Sequence, residues 1–139
     1  MLADINSIRI KIGLSPKLEE KEKGIKGKAG FYWGFPDGVD ELKENKFIYY
    51  EIEDGQQHQC TNVLKCWPLL EEDENINIIL IQWLKKKSKS KNRWELGKFV
   101  AKKMEHAFPE RFKYIFLELQ DESNEEKLQL LKKELNINF

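Results

Sequence analysis

The sequence predicts a single α/β domain over residues 1–139, a mixed sheet of about four or five strands with helices packed against it. Three observations predict it. Short runs rich in β-branched and aromatic residues alternate with stretches whose apolar residues recur at helical spacing, the pattern of strands covered by helices. The chain has 139 residues, about one domain in length, and can bury roughly two-thirds of its unfolded surface without disulfide staples. Hydrophobic residues make up 40%, too many for a disordered chain, and 35% charged demands a polar surface.

Residues 1–30 are the least defined segment. Ile8, Ile10 and Ile12 alternate with Arg9 and Lys11, which predicts a short strand before Gly13. Pro16–Lys23 fits a helical turn, and Gly24–Gly30 reads as a basic loop punctuated by glycine. From Phe31 the signals sharpen, and residues 31–119 are expected to hold the core. Phe31–Phe35 is aromatic and strand-prone, Pro36-Asp37-Gly38 is turn chemistry leading into Val39–Leu42, and Lys43–Lys46 reads as a hairpin turn around Asn45. Phe47–Glu53 (FIYYEIE) has the strongest strand propensity. Its alternation sends Ile48, Tyr50 and Ile52 to one face and Phe47, Tyr49, Glu51 and Glu53 to the other. Two carboxylates therefore project side by side from the end of one strand.

Thr61 is expected to cap a helix carrying Val63, Leu64, Trp67 and Leu70 inward, with Pro68 kinking it or opening a second segment. Ile76–Leu84 (INIILIQWL) is apolar at both alternations, so it belongs at the centre of the sheet. A lysine-rich loop follows. Trp94, Gly97, Ala101, Met104 and Phe108 recur at helical spacing up to Pro109, and Phe112–Leu119 is another strand. Ser123–Glu126 (SNEE) forms a capping box for a final helix over 123–136, with Leu128, Leu131 and Leu135 inward.

Composition sets limits on function. The most apolar run is far too short to span a bilayer, and the amino-terminal residues lack the apolar stretch of a secretory signal. No membrane role is expected. Cys60 and Cys66 match neither a redox CxxC nor a zinc pair, which predicts reduced thiols and a cytoplasmic protein. Basic and acidic residues number 24 each, so whole-molecule charge selects no partner. Locally, Lys85, Lys86, Lys87, Lys89, Lys91 and Arg93 crowd into one stretch. Such a run suits the phosphate backbone of a nucleic acid, and equally a solvated loop.

The best place for chemistry is Pro36-Asp37 together with Glu51-Ile52-Glu53. Magnesium prefers hard oxygen ligands, commonly one or two carboxylates completed by waters and substrate phosphate. An Asp at the start of one hairpin strand and a Glu on its partner have the residue types and the order for that task. Lys65, on the helix after the strand, would supply a cation near a phosphoryl group. Each piece also has a plainer use: Pro-Asp-Gly is an ordinary turn, and neighbouring glutamates are common on the solvated side of an edge strand. Removing Asp37 or Glu51, read as surface carboxylates, is expected to change stability little, within about ±0.5 kcal/mol. His58 is flanked by glutamines without a recognisable Ser, Cys or carboxylate partner, and Gly24-x-x-Gly27 lacks the Lys-Ser/Thr of a phosphate loop.

These residues resemble the PD-(D/E)XK nuclease superfamily, whose pattern is a Pro-Asp near one strand, a D/E-x-K on the next, then a helix. Pro36-Asp37 matches the first half and Glu51-Ile52-Glu53 the second, with Glu53 standing where the family usually has lysine. The resemblance covers roughly residues 31–119. It implies a restriction-endonuclease-like fold and a magnesium-dependent endonuclease acting on DNA, with manganese as a substitute ion. Asp37 and Glu51 would ligate the metal, Glu53 would be a third ligand or a base acting through water, and Lys65 would stabilise the attacking hydroxide or the charge developing at phosphorus. Either Lys65 or Glu53 would take the role of the motif lysine. Lys85, Lys86, Lys87, Lys89, Lys91, Arg93, Gln57 and Asn62 would meet nucleic acid. The family also tends to carry a Glu on a helix before the motif, for which Glu19, Glu20 and Glu22 are candidates. A homodimer is one way for such a nuclease to cut both strands, although no interface is legible. The alternative is a non-catalytic module of the same fold that binds nucleic acid or protein.

Overall fold

The computed structural model describes residues 1–17, 25–26, 32–54, 59–85, 91–118 and 121–138. The chain opens with helix α1 (Leu2–Lys11), followed by a small ribbon of β1 (Ile25–Lys26) and β2 (Tyr32–Gly34). The main sheet then builds up from β3 (Gly38–Lys43) and β4 (Lys46–Glu53), the helices α2 (Gln59–Leu64) and α3 (Cys66–Glu72), β5 (Asn77–Leu84), α4 (Lys91–Ala107), β6 (Phe112–Leu117) and α5 (Ser123–Asn138). Its strands lie in the order β3-β4-β5-β6. β3 runs antiparallel to β4, and β4, β5 and β6 are mutually parallel. The α/β class and the mixed four-stranded sheet flanked by helices are as the sequence predicts.

The hairpin between β3 and β4 turns at Asn45, whose φ of 64° is one that Asn tolerates better than most residues. The predicted alternation in β4 holds. Ile48 and Tyr50 join a core layer with Ile79, Ile81, Ile115 and Leu117 of β5 and β6, covered by Ile5, Ile8 and Ile12 and by Leu128, Leu131 and Leu135 of α5. Tyr49 faces the opposite layer with Ile78, Leu80 and Phe112, covered by Val63, Cys66, Leu69, Leu70, Ala101, Met104 and Phe108. β5 is buried on both faces, as its continuous apolar run requires.

Three expectations are corrected. The strand predicted at Ile8–Ile12 is helix α1. Ile5, Ile8 and Ile12 lie on its buried face while Ile10 is 58% exposed, a separation that helical geometry imposes and a strand would not. The aromatic strand near Phe31 is β2, and it pairs with β1 outside the main sheet. The helix after β4 begins at Gln59, two residues before Thr61, and Leu64 is exposed rather than inward. That helix breaks at Lys65, four positions after Thr61 and three before Pro68. Proline has no N–H for the Leu64 carbonyl and its ring crowds that carbonyl, so the break falls in the turn before it. No helix among the described residues is long and apolar enough to cross a membrane.

Candidate active site

The carboxyl ends of the parallel strands β4 and β5 lie together with the start of the antiparallel β3. β4 delivers Glu51 and Glu53 to this end, both on the face covered by α2, α3 and α4. The antiparallel register pairs Gly38 with Tyr50, so Asp37 arrives at the same end one residue before β3. The Ile52 N–H donates to Asp37 Oδ2 at 2.7 Å, which ties this carboxylate to the strand that carries the two glutamates. Asp37, Glu51 and Glu53, read from the sequence as one constellation, are brought together.

The glutamates are not surface groups. Each is only 4% exposed, and the expectation that Glu51 can be removed almost freely is corrected accordingly. Burial pushes the Glu51 carboxyl up to about 8 from an ordinary 4.5. The Lys65 ammonium pulls it down in part, and the charges of Asp37 and Glu53 push it up further. Burial likewise raises Glu53, with Asp37 adding to the rise and hydrogen bonds from Gln82 and Asn62 opposing it. Asp37 is raised by burial against the pull of the Ile52 N–H and Lys65. Three carboxylates thus share a desolvated corner with Lys65 in their field.

Lys65 reaches the corner from the break between α2 and α3. Its Nζ donates to Asn62 Oδ1 at 2.7 Å, while Asn62 Nδ2 donates to Glu53 Oε1. Both ends of the Asn62 amide, expected to meet nucleic acid, are engaged within the protein. The lysine stem passes over Gly34 of β2. A Cβ built on Gly34 would lie 2.5 Å from Lys65 Cδ and 2.7 Å from Cε, so the absence of a side chain is what lets the lysine lie there. Cys66 is fully buried, and burial together with the Glu51 charge raises its thiol well above the ordinary range. It stays protonated and is no nucleophile.

Sequence reasoning missed four residues. Gln82, 0% exposed, is the one polar residue inside the apolar run IILIQWL and pairs in register with Glu51. Its signal was that single polar interruption. Tyr114 donates from its hydroxyl to Gln82 Oε1 at 2.5 Å, and nothing in the sequence links positions in different strands. Gly34 gave no signal. Asp4 was hidden by the misread first segment. It sits at the start of α1 and accepts from Lys85 Nζ at 2.9 Å, just past the end of β5.

The remaining expected contacts divide. Lys85 is ion-paired with Asp4, and its N–H donates to the Glu53 carbonyl at 2.9 Å. Arg93 is exposed in the first turn of α4, where its carbonyl accepts from Cys60 Sγ. Lys91 opens α4. Gln57, His58, Lys86, Lys87, Lys89, Glu19, Glu20 and Glu22 lie outside the described residues. Among the described residues no group of three or more His, Cys, Asp or Glu side chains is arranged to hold a metal ion on its own.

No protein-family model, curated protein or solved structure matches the chain.

Proposed function

We propose that this domain is a metal-dependent deoxyribonuclease of the restriction-endonuclease-like kind, hydrolysing phosphodiester bonds at the corner formed by Asp37, Glu51 and Lys65. The observation that carries the reading is the burial of Glu51 among like charges. A carboxylate so placed is destabilised unless a cation joins it. The donor set fits magnesium, since every candidate donor is oxygen. Two carboxylates are enough where waters and substrate phosphate complete the shell. Asp37 and Glu51 would hold the ion. A divalent cation bound there supplies Lewis-acid polarisation of a phosphoryl oxygen and acidifies water.

The chain's own residues account for the rest. The Ile52 N–H fixes the orientation of the Asp37 carboxylate. Lys65, tethered to Asn62, offers a cation to the charge that develops on the phosphoryl oxygens, where it acts more strongly on the transition state than on the bound substrate. The covered face of the sheet limits water at the corner, which strengthens each of these interactions.

The test is cleavage of supercoiled plasmid and linear duplex DNA in magnesium, repeated with Asp37→Asn and Glu51→Gln. The parent is expected to cut in magnesium or manganese and to stop on chelation, and both variants are expected to be inactive while remaining folded. Cleavage by both variants at the parental rate would remove the assignment.

A further inference from the structure

We infer that Glu53, Asn62, Gln82 and Tyr114 form a buried hydrogen-bonded relay that positions Lys65, with Glu53 as its anchor rather than a metal ligand or a base. The inference deepens the proposed nuclease reading and rests on it for the role of Lys65.

The relay can be followed atom by atom. The Tyr114 hydroxyl donates to Gln82 Oε1. That fixes which end of the Gln82 amide is the donor, and Gln82 hydrogen-bonds the Glu53 carboxylate. Glu53 also accepts from Asn62 Nδ2. With its NH2 group committed to Glu53, Asn62 must turn its oxygen the other way, and that oxygen receives Lys65 Nζ at 2.7 Å. Every amide orientation follows from the link before it, because a carboxylate only accepts and an ammonium only donates.

Two features argue that the relay serves the site rather than the fold. Gln82 is fully buried at the centre of the sheet, where Ile or Leu would pack without needing partners. A buried amide is tolerable only when bonded, and a partly satisfied network is worse than an apolar core. Lysine, moreover, is a point charge on a flexible stem of four carbons, so nothing in its own geometry fixes the ammonium. The Gly34 gap confines the stem and Asn62 holds the tip. Glu53, meanwhile, accepts amide protons from two side chains, the pattern expected of an anchor for the relay.

The test uses the full chain with Glu53→Gln, Asn62→Ala and Tyr114→Phe, compared with Glu51→Gln and Lys65→Ala. Magnesium binding is followed by calorimetry, acylation of Lys65 by an amine-reactive ester by mass spectrometry, and DNA cleavage under single turnover. Glu53→Gln and Asn62→Ala should bind magnesium as the parent does, whereas Glu51→Gln should not. Lys65 should be acylated several-fold faster in Asn62→Ala and in Tyr114→Phe. Cleavage should fall about 10–100-fold in Asn62→Ala, with no further fall when that change is added to Lys65→Ala. Tyr114→Phe, which removes one oxygen, keeps the question open if Asn62→Ala fails to fold. Loss of magnesium binding in Glu53→Gln would make Glu53 a ligand and overturn the inference. So would unchanged Lys65 acylation, or a loss from Asn62→Ala that multiplies that of Lys65→Ala. If the parent neither binds magnesium nor cuts DNA, the nuclease reading fails, while the acylation rates still decide whether the relay holds the lysine.

Discussion

A carboxylate buried as deeply as Glu51 is held at the expense of stability whenever it is charged and no metal accompanies it. Its folded value of about 8 lies above the ordinary 4.5. Between those values the folded chain keeps the proton and the unfolded chain has released it, so unfolding releases a proton and rising pH favours unfolding. The stabilising contribution is therefore complete below pH 4.5 and is lost as pH climbs through about 8. The loss approaches 1.4 kcal/mol per pH unit, roughly the full slope for one group. In chelator, urea unfolding of the parent should show stability falling across that window. Glu51→Gln should flatten the fall and be the more stable protein at pH 8, and equal slopes for the two would show that Glu51 titrates normally. A second residue-scale prediction concerns Gly34. Adding a methyl group there first meets the Lys65 stem at Cδ and Cε, close to the flexible end of the side chain, which has to swing away. Gly34→Ala should leave stability within about ±0.5 kcal/mol, with single-turnover cleavage reduced and DNA affinity kept. Unchanged cleavage would mean that the ammonium finds its position without the gap.

At the scale of elements, α1 is part of the core. Arg9, 7% exposed, is paired with Asp40 of β3, and its Nε and Nη2 both donate to the Ser15 carbonyl, at 2.9 and 2.6 Å. Asp40 also accepts from the Tyr50 hydroxyl at 2.6 Å and is ion-paired with Lys17 at 3.2 Å. This network clamps the helix to the strand that begins just after Asp37. Without the guanidinium the buried Asp40 carboxylate keeps only the more exposed Lys17 as counter-charge, so Arg9→Ala should lower stability by about 3 kcal/mol. A loss below about 1 kcal/mol in urea unfolding would show the pair to be solvated. The same helix marks what the sequence could and could not reveal. Period-two alternation at Ile8, Ile10 and Ile12 and helical spacing at Ile5, Ile8 and Ile12 coexist in one short segment, and local pattern cannot choose between them. The pattern did decide at β4, where propensity and alternation agree, at the Asn45 hairpin and at the SNEE helix start. For the site, residue types and order along the chain were enough to single out Asp37, Glu51, Glu53 and Lys65. Their burial was illegible, because charged residues are read as exposed unless a partner is known. The partners, Gln82, Tyr114 and Gly34, lie on other strands, and only tertiary structure brings them there.

At the scale of the whole molecule, zero net charge offers no long-range attraction to a polyanion, so on the proposed function affinity for DNA would have to come from local charge. The lysine-rich stretch lies in the chain between the end of β5 at Leu84 and the start of α4 at Lys91, and β5 ends on the side of the sheet that holds Asp37 and Glu51. Lys85 is committed to Asp4, which leaves Lys86, Lys87 and Lys89 as the residues to test. Each phosphate contact releases condensed counterions, giving a slope near −0.9 in log affinity per contact against log salt for duplex DNA. The triple change Lys86→Ser, Lys87→Ser and Lys89→Ser should therefore flatten the salt dependence by up to about three contacts' worth. The weakening should be similar for unrelated sequences, since phosphate contacts carry no base information. The measurement is a salt titration of binding to two duplexes of different sequence in calcium, an ion expected to occupy the site without supporting cleavage. A slope equal to the parent's would turn this stretch away from the nucleic acid, and Arg93 in the first turn of α4 would be the next cation to replace.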